Sequence, residues 1–487
     1  GIIMKENKNS LFEISLIVFV AIVFLSWIIP VGEYKNGVFT LGEITPVGIF
    51  DLPLIPLTVL DLALPTIIFI IMISGFYGVV NKTGAYSKMI NHFVNKLKGK
   101  EIKFLIFITI LFGILSSIVG LNVIFFFIIP FVSTILLLLG FDKITAMLAT
   151  FGSVIVGMTG SIYGTDISYY LNGYFGYNSK YSYNTSIFPD KIILLILLLF
   201  LLVMFVLKLG RKNLKNKKSN NEIIPFYEKN DNSKKGWVPL LIIFIISFII
   251  MIVGSFKWDN VLNTGSDSTP FLSLYEKIQN IKIGNFSIVS NILGTIPAIG
   301  YWQLPFISVL ILFMTIIIAV IYRKDLNEFL EGFGNGVKSN LKLVLYIIGA
   351  NFVLAVLFKN GATANIATTM INYLMNLTDT FNSLILSITT IISSFFFNSF
   401  STLIGTLYTP TVVLTGTTVE LRFLATLIIQ TLYGLVMFIA PTSVLLMLGL
   451  SYFNISYKEW FKNIWKLLLQ LFIVVVLIII IVTIFSL

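Results

Sequence analysis

The sequence predicts an all-α polytopic membrane protein made of two inverted-topology repeats with re-entrant hairpins and broken helices. Three observations carry that prediction: the composition, a motif written twice, and the placement of charge. Of 487 residues, 57% are hydrophobic and 11% charged, with a mean hydropathy of +0.96. So much apolar surface cannot be hidden in a soluble core. Continuous apolar runs at 192–207, 240–253 and 467–487 read as helical spans rather than alternating barrel strands. Only helices and closed barrels satisfy the backbone in lipid.

The repeated motif is NKTGAYSKMINHFVNKL, from Asn81, and KNGATANIATTMINYLMNL, from Lys359. Both copies carry a Gly-Ala step, an MIN tripeptide and an amphipathic tail. Each follows an apolar stretch and precedes an interrupted apolar block. Pro130 lies 46 residues after Gly84, and Pro410 lies 49 residues after Gly361. Each block leads into Leu-Ala-Thr, at 148–150 and 424–426, and then into a Gly/Pro/Thr/Ser-broken segment. Paired, interrupted segments of this kind mark internal repeats in membrane transport folds.

Charge orders the elements. Residues 16–29 read as a retained first helix, because no Ala-x-Ala-type cleavage site follows. The 31–61 stretch sets Glu33, Glu43, Asp51 and Asp61 against Lys35 alone, which places it outside. Residues 62–80 return inward to six Lys and one Glu between Lys82 and Lys103. Residues 104–139 form two short arms meeting near 116–122, either a re-entrant hairpin or two full spans; both ends are inside in either case. Residues 144–163 go out and 192–207 come back, to nine Lys/Arg and three acids between Lys208 and Lys235. By the positive-inside rule these basic loops, and the N-terminus, are cytoplasmic. The Asn/Lys/Ser-rich 208–235 stretch reads as a solvated, flexible linker.

In the second half, 240–253 run outward, 306–321 inward to Arg323 and Lys324, and 341–358 outward. The helix before the second Gly-Ala step therefore runs opposite to the one before the first. Lys458, Lys462 and Lys466 then fall inside. The expected division is 1–61, N-terminal helix and outer loop; 62–207, first repeat; 208–237, basic cytoplasmic linker; 238–322, connecting or scaffold helices; 323–466, second inverted repeat; and 467–487, C-terminal helix.

Unwound backbone at membrane depth is tolerated only where it lines a cavity or is buried in protein, so chemistry is expected at the breaks. The hairpin tips read SSIVGLN at 116–122 and NSFST at 398–402, and the broken helices read GMTGS at 157–161 and APTS at 440–443. The expected substrate contacts are Ser116, Ser117, Asn122, Thr159, Ser161, Asn398, Ser399, Ser401, Thr402, Thr442 and Ser443. Helix N-termini there would present N–H groups to a carboxylate. Asn122, Gly157, Thr402 and Ala440 supply hard oxygens for a sodium ion. Small residues also let membrane helices pack closely; the matched placement of all four clusters favours a site.

Other polar residues leave alternatives open. Asp166 is a ligand for a cation, a proton or an amine, or else interfacial. Glu420 and Arg422 are a local pair or solvated. His92, the one histidine, is at the surface or in a proton relay. Seven tyrosines between Tyr163 and Tyr183 are an interfacial belt or an aromatic gate.

WIIPVGEY at 27–34, SGFYGVVNKTGA at 74–85, LFGILSS at 111–117 and PTSVLLMLGLSYFNISYKEW at 441–460 resemble the YfcC family. That family is related to the C4-dicarboxylate carrier DcuC and to arginine-ornithine antiporters, within the ion transporter superfamily. The resemblance implies a scaffold plus a transport domain, an elevator-type movement and a homodimer. The chain has Leu121 and Asn122 where relatives carry an acidic pair, and Phe352 and Val353 where they carry Arg-Gly. Without that Arg, a bidentate carboxylate clamp is missing at that place.

The expected function is secondary active transport of a small carboxylate-bearing metabolite, a C4-dicarboxylate or an amino acid, by alternating access. Coupling would be to Na+ or H+, or by exchange. A cation/proton antiporter and an ion channel are the alternatives. An enzyme is not expected, because no His/Asp/Glu constellation lies in the apolar segments. A pump is disfavoured because no Gly-rich nucleotide loop is followed by Lys-Ser or Lys-Thr. No resident cofactor and no nucleic acid partner are expected, and the lipid bilayer is; the location is the bacterial inner membrane.

Overall fold

The computed structural model describes residues 11–162, 166–175, 188–216, 223–259, 269–294, 296–361 and 364–486. Among these the chain is an all-α membrane protein, with two small antiparallel ribbons as its β-structure. Seven helices are long and apolar enough to cross a bilayer, or eight when one pair bent by 47° is taken as a span.

The first half comprises α1 (Leu11–Leu25), strands β1 (Gly32–Lys35) and β2 (Val38–Leu41), α2 (Ile55–Lys82), α3 (Ala85–Leu97) and α4 (Glu101–Ile118). A 3-10 turn, Asn122–Phe127, leads to α5 (Ile129–Leu138) and then α6 (Lys143–Thr159), which contains a π-turn at Leu148–Gly152. α7 (Asp166–Phe175) and α8 (Phe188–Lys215) complete it. Next come α9 (Val238–Ser255), α10 (Pro270–Gln279), β3 (Lys282–Ile283), β4 (Phe286–Ser287), α11 (Ile288–Leu293) and α12 (Leu304–Ile321). The second half follows with α13 (Leu326–Ser339), α14 (Leu341–Leu357), α15 (Ile366–Met375), α16 (Ser383–Ser394), α17 (Phe400–Thr415), α18 (Val419–Val436), α19 (Val444–Phe453) and α20 (Tyr457–Ser486).

Local chemistry sets these boundaries. Gly84, at φ +70°, makes the left-handed turn that starts α3; a Cβ there would also meet Ser233 N at 2.6 Å. Gly361 sits at φ +103°. Asp142, Asn365, Asn382 and Ser443 cap α6, α15, α16 and α19 through side-chain oxygens. Asp325 and Glu328 form a capping box on α13.

The two helices that precede the Gly-Ala steps run antiparallel. At the far end of α2, Lys82 pairs with Glu331 of α13, and Gly75 and Gly78 pack on Phe333 and on Gly332 and Gly336. At its near end, Asp51 pairs with Lys359, just beyond α14. α13 and α14 are the bent pair, so the pairing lines up α2 against both. Matched elements then meet their counterparts: α2 with α14, α6 with α18, and α8 with α20. Cross-pairs are reciprocal, since α7 packs on α17 and α19 packs on α5. α6 from Thr145 onward and α18 from Leu424 onward are buried all round, which places this pair at the centre.

Three sequence expectations need correction. The linker beyond residue 222 is docked. Phe226 is 7% exposed and packs on Tyr77, Phe126 and Tyr452, while Asn81 bonds Phe226 O and Glu228 N. Net composition masked this, because the short apolar run 223–227, with Phe226 and Tyr227 as its anchors, stands inside an Asn/Lys/Ser-rich stretch. α20 runs unbroken across the expected boundary at 466/467, since its lysines lie on exposed faces while Trp460 and Ile464 are buried. Charged flanks likewise lengthen α8 at both ends of the apolar run. Finally, Arg422 does not pair with Glu420: it donates to Gly416 O and Phe175 O, closing the ends of α17 and α7.

Candidate functional site

In the first repeat, the tip and the break are one hydrogen-bonded unit. Ser116 Oγ donates to Val154 O of α6 at 2.7 Å and lies 3.2 Å from the Asn122 amide. A hydroxyl has one proton, so Asn122 turns its Nδ2 to this side, 2.6 Å from Val119 O and 3.3 Å from Ser116 O. Ser117 Oγ donates to Ile114 O, and Ser117 O accepts from Ile162 N at 2.7 Å, just past the end of α6. Gly157 permits this approach: a Cβ would meet Gly113 O at 2.3 Å and Ser116 Cβ at 2.7 Å.

The second repeat repeats the tie. Phe395 O, at the end of α16, accepts from Thr442 Oγ1 at 3.0 Å. Asn398 Nδ2 donates to Asn351 Oδ1 of α14 at 2.7 Å, and Tyr433 OH reaches Asn398 O at 3.4 Å. The Ser399 and Ser401 hydroxyls are 2.7 Å apart, and Thr402 Oγ1 donates to Ser399 O. Beyond α18 the carbonyls freed by the break are taken up: Phe438 O by Trp460 Nε1 at 2.9 Å and Ile439 O by Tyr457 OH at 2.6 Å. Ala440 O accepts Ser443 N, and Ser443 Oγ caps Leu446 N.

One side chain joins the repeats. Gln430 of α18, fully buried, donates from Nε2 to Thr159 O at 3.1 Å and Met158 O at 3.3 Å, at the broken end of α6. Its Oε1 accepts from Lys191 Nζ of α8, which is 1% exposed. Gly434, one turn on, packs against Thr159. The structure thus brings Ser116, Ser117, Asn122, Gly157, Thr159 and Ser161 together in one half. It brings Asn398, Ser399, Ser401, Thr402, Ala440, Thr442 and Ser443 together in the other. The α6–α18 contact links the two. All of the first set are buried, whereas Asn398, Ser399, Ser401 and Thr402 at the second tip are partly exposed.

Several hydroxyls are satisfied within their own helix, among them Thr159 on Ile155 O at 2.9 Å. No group of three His, Asp or Glu that could hold a metal exists among the described residues. A cation would therefore meet hydroxyl, amide and carbonyl oxygens. The Asp166 side chain and Tyr163, Tyr177, Tyr181 and Tyr183 lie outside the described residues. Tyr174 packs on Tyr408, with ring centroids 5.4 Å apart. His92 is exposed and packs on Trp237, with centroids 4.5 Å apart.

Sequence reasoning missed Gln430, Lys191, Asn351 and Tyr433. A lone amide in the run ATLIIQTLYG was the available signal for Gln430, and IIGANFVL for Asn351. Lys191 abuts the start of an apolar run and reads there as loop.

A family model described as the C4-dicarboxylate anaerobic carrier DcuC matches residues 9–484. No curated protein sequence matches the chain. Among solved structures the chain is similar to the YdaH transporter of Alcanivorax borkumensis, at 12% identity and a TM-score of 0.42. That match covers 96% of this chain and 98% of the other.

Proposed function

The chain belongs to the DcuC family of C4-dicarboxylate anaerobic carriers, and from that premise we propose that it moves a C4-dicarboxylate across the membrane by alternating access. The observation that carries the reading is the antiparallel pairing of α2 with α13 and α14, each followed by a Gly-Ala step and a tip tied to a break. Inverted hairpins approach a shared centre from opposite faces, so a site between them opens to each side in turn. The greater exposure of the second tip supports a conformation open on that tip's side.

In this reading Ser116, Ser117, Asn122 and the 398–402 tip contact the carboxylates, and a sodium ion, where used, sits on Asn122, Gly157, Thr402 and Ala440 oxygens. The repeats divide at residues 208–237, move in elevator fashion against a scaffold, and assemble as a homodimer in the inner membrane with the N-terminus cytoplasmic. Coupling is to Na+ or H+, or by exchange.

The test is counter-flow in proteoliposomes. Vesicles preloaded with succinate should transiently accumulate labelled succinate, and imposed Na+ or pH gradients should identify the coupling. Ion conductance without counter-flow of any dicarboxylate would overturn the proposal in favour of a channel.

A further inference from the structure

We propose that the inner end of α8 is a binding site for one anionic phospholipid headgroup. Lys208, Arg211, Lys212 and Lys215 fall at i, i+3, i+4 and i+7, which places all four cations on one helix face. They are exposed, and they line a surface groove of about 390 Å³ together with Met204, Leu207 and Asn216. Nothing acidic lies between residues 208 and 216. Lys35, Lys82, Lys324 and Lys359 each meet a carboxylate, whereas none of these four makes an ion pair with a described residue.

Geometry favours a lipid over a free anion. A rise of 1.5 Å per residue carries the apolar run 192–207 across roughly 24 Å, so Lys208 stands where the hydrocarbon ends. The seven steps to Lys215 cover roughly 10 Å more, about the depth of a headgroup layer. Met204 and Leu207 continue the same groove toward the hydrocarbon, where acyl chains would lie. The guanidinium of Arg211 can bind a phosphodiester in bidentate fashion, with lysines around it as point charges.

The opposite side of this helix end is fixed. Asn213 Nδ2 donates to Asp142 Oδ2 at 2.8 Å, and Asn213 Oδ1 accepts from Thr145 Oγ1 at 2.8 Å. Gly210 lies against Leu105 and Phe141. The helix end that presents the four cations is thus fixed before any ligand arrives. The proposal does not depend on which substrate is carried.

The experiment is native mass spectrometry of the detergent-purified full chain, titrated with phosphatidylglycerol, phosphatidylcholine or inorganic phosphate. The native protein is expected to retain one phosphatidylglycerol in preference to phosphatidylcholine, and phosphate should not displace it. Each charge removed should weaken retention roughly five-fold, so Arg211→Gln should show one such step. The quadruple variant Lys208→Gln, Arg211→Gln, Lys212→Gln, Lys215→Gln should lose binding. A control with the same charge change elsewhere, Lys277→Gln, Lys282→Gln, Lys338→Gln, Lys462→Gln, should keep it. Equal retention by both quadruple variants, equal loss by both, no preference over phosphatidylcholine, or displacement by phosphate would each overturn the proposal.

Discussion

Lys82 and Lys359, each two residues before its motif glycine, make the same bond at opposite ends of one helix pair. Lys82 Nζ meets Glu331 Oε1 at 3.0 Å, and Lys359 Nζ meets Asp51 Oδ2 at 2.6 Å. Each lysine reaches an acid that precedes the other repeat's α2 or α14. Such reciprocity is what a two-fold relation between inverted repeats requires.

The chain has no cysteine, so this arrangement can be read directly by cross-linking. Lys82→Cys with Glu331→Cys, and Asp51→Cys with Lys359→Cys, should be joined by a short bis-maleimide, which spans the gap that the two long side chains now fill. Lys82→Cys with Asp51→Cys should not, because the 28 residues of α2 separate these ends by roughly 42 Å. Losing either exposed pair should leave the melting temperature nearly unchanged. Cross-linking of the last pair would mean that α2 and α14 are misaligned.

Two glycines make an internal comparison. A Cβ on Gly157 would enter the Gly113 carbonyl at 2.3 Å, so Gly157→Ala must push α6 off α4 at the tip. Overpacking of this kind costs about 1–3 kcal/mol, and counter-flow should fall at least ten-fold. Gly334, in α13, has nothing within 4 Å of the same position. Gly334→Ala should therefore leave transport unchanged and raise the melting temperature slightly through helix propensity. Similar transport by the two variants would argue against close packing at the tip.

Asn122 is held as a donor to Val119 O and Ser116 O. Asn122→Asp keeps the shape and removes the donor, setting a carboxylate against two carbonyls, so it should impair transport as badly as Asn122→Ala. Asn398→Ala should also impair it, because Asn398 fixes the second tip on Asn351. Ser10→Ala is the reference expected to transport normally. Normal counter-flow and ion dependence in all three asparagine variants would remove the tips from the transport site.

The duplicated motif and the charged loops made the helical class, the inversion and both tips legible, because each depends on periodic or repeated signals. Lys82 and Lys359 stood in the sequence as matched residues, but their acids, Glu331 and Asp51, lie outside the motif and carry no repeat signal. Gln430 was visible only as one amide in an apolar run; its partners Met158 O and Thr159 O are backbone, which sequence cannot mark. Asn351 met Asn398 across 47 residues, a pairing that neither periodicity nor propensity encodes. Phe226 was hidden because its short apolar run, 223–227, is surrounded by Lys, Asn and Ser that dominate the composition of the segment.

The Phe226 ring gives its own prediction. Phe226 sits at φ +61°, a left-handed conformation that costs a non-glycine residue energy. Its packing on Tyr77, Phe126 and Tyr452 must therefore outweigh the strain. Phe226→Ala should lower stability by about 3 kcal/mol, as loss of a buried phenyl does. Thermal unfolding in detergent would read this as a clear drop in melting temperature. If 223–235 were only a tether, the melting temperature would not move.

The bridge at the centre is tested by changing one atom. Gln430 accepts from Lys191 through Oε1 and donates through Nε2 to Met158 O and Thr159 O. Gln430→Glu preserves the acceptor for Lys191 but turns the donor into an oxygen that faces two carbonyl oxygens. Leaving buried acceptors unpaired costs about 1–3 kcal/mol for each group. Gln430→Met removes both functions without adding charge, so it should be the milder change at the carbonyls but should strand Lys191 on that side. Both variants should transport at least ten-fold more slowly than native protein. If the amide donors matter most, Gln430→Glu will be the worse, with a lower melting temperature and a reduced maximal rate at unchanged KM. If the contact to Lys191 matters most, Gln430→Met will be the worse, with the lower melting temperature of the two. Native kinetics in Gln430→Glu would mean that the α6–α18 contact holds the break without this side chain.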